Sequence, residues 1–85
     1  MEHHSHYQTS DLALAAFLIA SGITLVETDW ESPYRAVFCF GNPQKAEELA
    51  ARFFTGEALI SALAYSNALS DLKGRLFRER RRRGA

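Results

Sequence analysis

A single cysteine, Cys39, stands in a chain of 85 residues, so no intrachain disulfide framework can brace the fold. It lies in the apolar run Val37-Phe38-Cys39-Phe40, where a buried structural thiol is expected rather than a nucleophile. Long hydrophobic runs are missing as well. The longest, Leu12 to Ala20, stops at Ser21-Gly22, well short of the ~20 apolar residues of a membrane span. No basic segment followed by an apolar one opens the chain, so no signal peptide is read and a cytoplasmic location is expected. Metal and phosphate motifs are absent too: no Cys-x-x-Cys, no helical His-x-x-x-His, no glycine-rich loop. His3, His4 and His6 crowd a polar stretch, residues 1–8, which reads as a flexible lead-in rather than a metal site. Asp29 and Glu31 flank a turn, and Glu47-Glu48 fall on a helix; both pairs read as ordinary solvated acids. No catalytic residue, metal or cofactor is therefore expected, and the chain does not read as an enzyme.

What is present suffices for one small domain. An apolar fraction of 47% and an aromatic fraction of 12% fit a globular chain and exclude disorder. A chain of this size buries roughly 60–65% of the surface its unfolded form exposes, which leaves a small core with little margin. Helix one starts near Thr9-Ser10-Asp11, with Thr9 or Ser10 as cap, and ends at Ser21-Gly22 with Gly22 left-handed. Its apolar residues leave little polar surface, so it should be mostly buried. Ile23–Trp30 and Arg35–Phe40 read as two strands around the turn Glu31-Ser32-Pro33-Tyr34. Asn42 then caps helix two, with Pro43 in its first turn and Ala46, Leu49, Ala50 and Phe53 as its apolar stripe. Glu57-Ala58-Leu59-Ile60 reads either as a short third strand or as a connector. Ser61 caps helix three, whose stripe is Tyr65, Leu69, Leu72 and Leu76, with Asp71 and Arg75 paired outside it.

The expected fold class is therefore α+β: a small single domain over residues 9–77, in the order α-β-β-α-(β)-α. An antiparallel β-hairpin or three-stranded sheet is covered by helices. Residues 78–85 form an Arg-rich tail.

Charge is the other pronounced feature. The formal net charge is zero, yet residues 75–85 carry Arg75, Arg78, Arg80, Arg81, Arg82 and Arg83 against Glu79, a balance of +5. Residues 1–74 set four cations against nine acids, a balance of −5. Arginine stays charged and can grip a phosphate through two hydrogen bonds, so these six residues are the candidate nucleic-acid-binding set. They would bind the phosphate backbone and not read sequence. The last four, Arg80 to Arg83, are expected to fray. Trp30 and Tyr34 at the hairpin tip are candidate interaction residues, with packing against a helix as the competing reading.

The run Tyr7-x-Thr9-x-Asp11-Leu12-x-Leu14-Ala15-Ala16-x-Leu18, followed by Gly22-x-x-Leu25, resembles the opening of a small bacterial and phage family known only as a domain of unknown function. The Phe38-x-Phe40 strand, Phe53 or Phe54 before Gly56, and Tyr65-x-x-Ala68-x-x-x-Leu72-Lys73-x-Arg75-Leu76 extend the likeness to about residues 7–77. The resemblance implies no chemistry. It favours a nucleic-acid-associated or regulatory role, and the Arg80–Arg83 run lies beyond it. The function expected is thus a small non-enzymatic accessory protein that touches nucleic acid through its arginine end. The alternative is a protein-interaction or self-assembly module, a homodimer or a phage or mobile-element regulator, without nucleic-acid contact. A membrane partner is not expected.

Overall fold

The computed structural model describes residues 6–82. It is an α+β domain with β1 (Tyr7–Thr9), α1 (Leu12–Ala20), β2 (Leu25–Ser32), β3 (Arg35–Phe40), α2 (Pro43–Thr55) and α3 (Ala62–Arg82). The three strands form one antiparallel sheet in the order β1-β3-β2. The third strand therefore comes from the chain's start. Residues 57–60, the expected candidate, form an irregular connector, and Tyr7 and Gln8 belong to the sheet rather than to a flexible lead-in. The physical reason is pairing. β3 is apolar on both faces, and its second edge needs a partner to satisfy its backbone. Tyr7 opposite Phe40 and Thr9 opposite Phe38 supply one.

Alternation along β3 sorts the two faces of the sheet. Phe38 and Phe40 point to the helices and join Leu14, Phe17, Leu18, Ala46, Ala50 and Leu72 in the core. Cys39 and Val37 point the other way, opposite Glu27 and Asp29 of β2. Cys39 is buried there all the same, and Gln8 Nε2 approaches its Sγ at 3.5 Å.

Helix α1 is the hub. Leu14 through Leu18 are buried in succession, as a helix apolar on every side requires. Its cap is Asp11, one residue past the expected Thr9 or Ser10: the Asp11 carboxylate accepts from the Leu14 N–H at 3.1 Å, and Thr9 Oγ1 accepts from the Asp11 N–H. Gly22 takes φ 95°, as its place after the helix demands. Helix α2 meets α1 through Ala46 and Ala50, small enough for close approach, and through the Phe17 and Phe53 rings 5.3 Å apart. Asn42 precedes α2 without capping it. It is left-handed, φ 51°, because two residues must turn the chain from β3 into the helix, and its side chain makes no cap bond. Ser61 does cap α3, accepting from the Ala64 N–H at 3.2 Å. Helix α3 packs on α1 and brings Leu72 into the core, with Tyr65 and Leu76 packed against it and Ala68 buried. It continues without a break through Arg82, so among the described residues the arginine segment is helical rather than frayed.

Candidate nucleic-acid interface

The apolar stripe of α3 runs into the arginines. Leu69, Leu72 and Leu76 share one face at i, i+3 and i+7, and the next position on that face is 79. Glu79 occupies it, the single acid among residues 75–85. Trp30 lies on the helix-facing side of the hairpin, in register with Ala36, and its indole N–H donates to Glu79 Oε1 at 3.0 Å. One residue further, the Arg80 guanidinium lies 5.5 Å from the centre of the Tyr34 ring. A hydrogen bond to a charged acceptor contributes about 1.5–3 kcal/mol, and an exposed cation–π contact about 0.5–1 kcal/mol. Together they pin the last turns of α3 to the hairpin tip.

The helical period of about 100° per residue places Glu79 and Arg80 on either flank of the stripe. Arg75, Arg78, Arg81 and Arg82 then point away from the core, and all four are exposed. Arg81 lies 5.5 Å from the centre of the Phe77 ring one turn back, itself 61% exposed. Salt bridges among the described residues join Arg35 to Glu31 at 2.8 Å and Lys45 to Glu48 at 3.6 Å. Neither engages an arginine of α3, and the expected Asp71–Arg75 pair is not formed among them. Glu79 is committed to an indole rather than to a neighbouring guanidinium. Glu27 and Asp29 project from the opposite face of the sheet. The least dimension of the molecule is 18 Å, against a Debye length of about 8 Å at physiological salt, so their field on the far side of the helices is largely screened.

Between the hairpin tip and α3 lies a cleft of about 300 Å³. Phe38 and Leu76 floor it, Trp30 walls it, and Tyr34, Arg35 and Arg80 stand at its edge. A larger open concavity of about 740 Å³ borders the polar face of α2, around Asn42, Lys45, Glu47 and Glu48. Its cation is already paired with Glu48, and its net charge repels anions.

The candidate residues thus fall on adjoining sides of the end of α3. Trp30 and Tyr34, read separately from the arginines in the sequence, touch Glu79 and Arg80; Trp30 does pack on a helix, as the competing reading held. Arg75, Arg78, Arg81 and Arg82 form the cationic face beside them. Arg83 lies outside the described residues, as do His3 and His4, while His6 is exposed just before β1. Arg35 and Glu79 were not singled out from the sequence. The signal for Glu79 was present, since an acid interrupting an arginine run at the next stripe position must answer to a partner.

The chain matches the model of a family described as a domain of unknown function, DUF5659, over residues 4–78. It belongs to that family. The match includes the hairpin tip, Arg75 and Arg78, and stops before Arg80, so the contact of Arg80 with Tyr34 joins a family element to residues beyond the shared pattern. No curated protein and no solved structure matches the chain. Among the described residues, no helix is long and apolar enough to cross a membrane.

Proposed function

We propose that this protein is a small non-enzymatic accessory protein that holds nucleic acid by its phosphate backbone, through the outward face of α3. The observation that carries this reading is the freedom of Arg75, Arg78, Arg81 and Arg82: four exposed guanidinium groups on one rigid helix face, none in a salt bridge among the described residues. A rigid array loses less conformational entropy on binding than a disordered tail, so each phosphate contact retains more of its attraction. The contacts assigned are to phosphates, and the binding is therefore expected to be independent of sequence.

Four phosphate contacts give a slope of log K against log salt near −3.6, or a loss of affinity on the order of 100-fold between 50 and 200 mM salt. Replacing Arg78, Arg81 and Arg82 together by alanine should bring the slope to about −1. Fluorescence anisotropy with a labelled oligonucleotide measures both. An unchanged affinity and slope in the triple variant would sink the proposal.

A second reading has its own observation. Phe54, Leu59 and Leu63 are 64%, 92% and 70% exposed around the α2–α3 connection. Such an apolar corner suits a protein partner or a second copy of the chain. Light scattering across a concentration series separates the two readings: a monomer at every concentration leaves self-assembly without support, whereas a dimer lost in Leu59→Glu places the contact at this corner.

A further inference from the structure

We infer that the cleft between the hairpin tip and α3 receives one unstacked nucleobase, so that the protein prefers single-stranded nucleic acid to duplex. The inference rests on the backbone-binding reading above and adds to it what the strand must look like. A duplex offers phosphates to the outward arginines but keeps its bases stacked inside. The cleft has features that a phosphate alone would not use. Leu12, Trp30, Phe38 and Leu76 give it apolar lining, between the polar groups of Ser10, Arg35 and Arg80. At its mouth the Tyr34 ring is 78% exposed, an aromatic surface that water does not favour. Its volume of about 300 Å³ stands at the lower end of the roughly 300–1,000 Å³ typical of ligand sites, which suits a single base and not a longer segment.

The charges around the mouth complete the fit. Arg80 has no carboxylate partner among the described residues, and it lies beside Tyr34. Arg35 is held by Glu31 in a pair whose side chains are 60% and 59% exposed. An exposed pair of this kind contributes little and can yield to a phosphate. A base resting against Tyr34 over the apolar lining would thus leave its own phosphate between two guanidinium groups. Arg81, about 100° further round the helix, can take a neighbouring phosphate where the strand passes over the end of α3. Base–aromatic stacking is tolerant of sequence because every base has a π-face, so the site favours single strands without favouring a motif.

The test compares labelled single strands, oligo-dT and oligo-rU, with a duplex of equal length at one salt concentration. The wild-type protein should bind at least one single strand more tightly than the duplex. Tyr34→Ala should weaken single-strand binding roughly 5- to 100-fold and duplex binding by much less, through the lost contact with Arg80 alone. Tyr34 is exposed at a turn, so this variant should keep its fold, and circular dichroism checks that it does. Trp30 is the sole tryptophan, and its emission should respond to the single strand and not to the duplex. Equal affinity for both forms, with Tyr34→Ala altering neither and Trp30 emission unmoved, would overturn the cleft and leave the backbone reading standing. If the wild-type protein binds neither form, both fall. If both forms bind but the Arg78, Arg81 and Arg82 triple variant loses only the duplex, the cleft holds strands by itself, and the inference stands.

Discussion

Cys39 shows how much one position depends on its neighbours. It points to the side of the sheet away from the helices, yet only 1% of it is exposed. Burial pushes its thiol up, the Gln8 amide pulls it back in part, and Glu27 and Asp29 push it up further. Tyr7, on the paired strand, is likewise raised above the ordinary phenol value of 10.0, first by burial and then by Glu47 and Asp11. Both groups keep their protons in the folded state at a pH where the unfolded chain has lost them. Their contribution to stability is complete below the ordinary thiol range and is lost as pH rises through the folded values. The urea midpoint should therefore fall from neutral to alkaline pH, starting in the thiol range, and Cys39→Ala should flatten the first part of that fall. The native thiol should also react slowly with a neutral maleimide. Gln8→Ala, which uncovers it, should raise the rate several-fold. A native rate equal to that of the urea-unfolded chain would contradict the burial. Core positions give larger effects. Phe38→Ala should cost about 3–5 kcal/mol, a large part of the about 4–13 kcal/mol that a chain of this length commands, and thermal melting would show it.

Among the elements, α3 decides most. It is 21 residues long, roughly 31 Å, and only its apolar stripe and its last contacts with the hairpin hold it to the rest. Gly74 lies mid-helix, where glycine is less favourable than alanine by about 0.8–1 kcal/mol. A Cβ there would meet only the end of the Arg78 side chain at 3.5 Å, an ordinary contact. Gly74→Ala should therefore stabilise the domain by about 0.5–1 kcal/mol, read from the denaturant midpoint. A lower midpoint would mean that α3 needs the freedom of that residue. At the hairpin, Trp30→Phe removes the donor to Glu79 and should destabilise by about 1–2 kcal/mol, while releasing the last turns of α3 to faster amide exchange.

These elements also show what was legible in the chain. The apolar stripes of α2 and α3, the all-apolar α1 and the breaks at Gly22 and Gly56 place the three helices within a residue or two of where they lie, except the end of α3, which continues through Arg82 where fraying is expected. Arg35–Phe40 was bounded as observed, because a continuous apolar run between a turn and Gly41-Asn42 has few other solutions. The first strand was not legible. Three residues are too few for alternation to register, and Tyr7–Thr9 is extended because β3 pairs with it. Residues 57–60 had the composition of a strand, but the free side of β3 is taken by β1, and they form a connector instead.

At the scale of the whole molecule, zero net charge conceals two surfaces. The outer face of the sheet carries Glu27 and Asp29, and the end of α3 carries the arginines. The domain is thin, 39 × 38 × 18 Å, so these surfaces are separated by about one sheet-and-helix thickness. At low salt the two ends of neighbouring molecules should attract, and solubility should rise as salt is added. Nucleic-acid affinity should fall over the same range. A turbidity series against salt checks the first trend. Solubility that falls on adding salt would point instead to the apolar corner at Phe54, Leu59 and Leu63 as the dominant contact, because added salt strengthens apolar association.

The sequence by itself determined the helices, the hairpin and the segregation of charge along the chain, because periodicity, turn chemistry and composition are local properties. Only the tertiary structure decided that Tyr7 starts a sheet, that Glu79 faces an indole, and that the hairpin tip touches the arginine helix at Arg80. Each of these depends on residues 30 to 50 positions apart meeting in space, which no local pattern encodes.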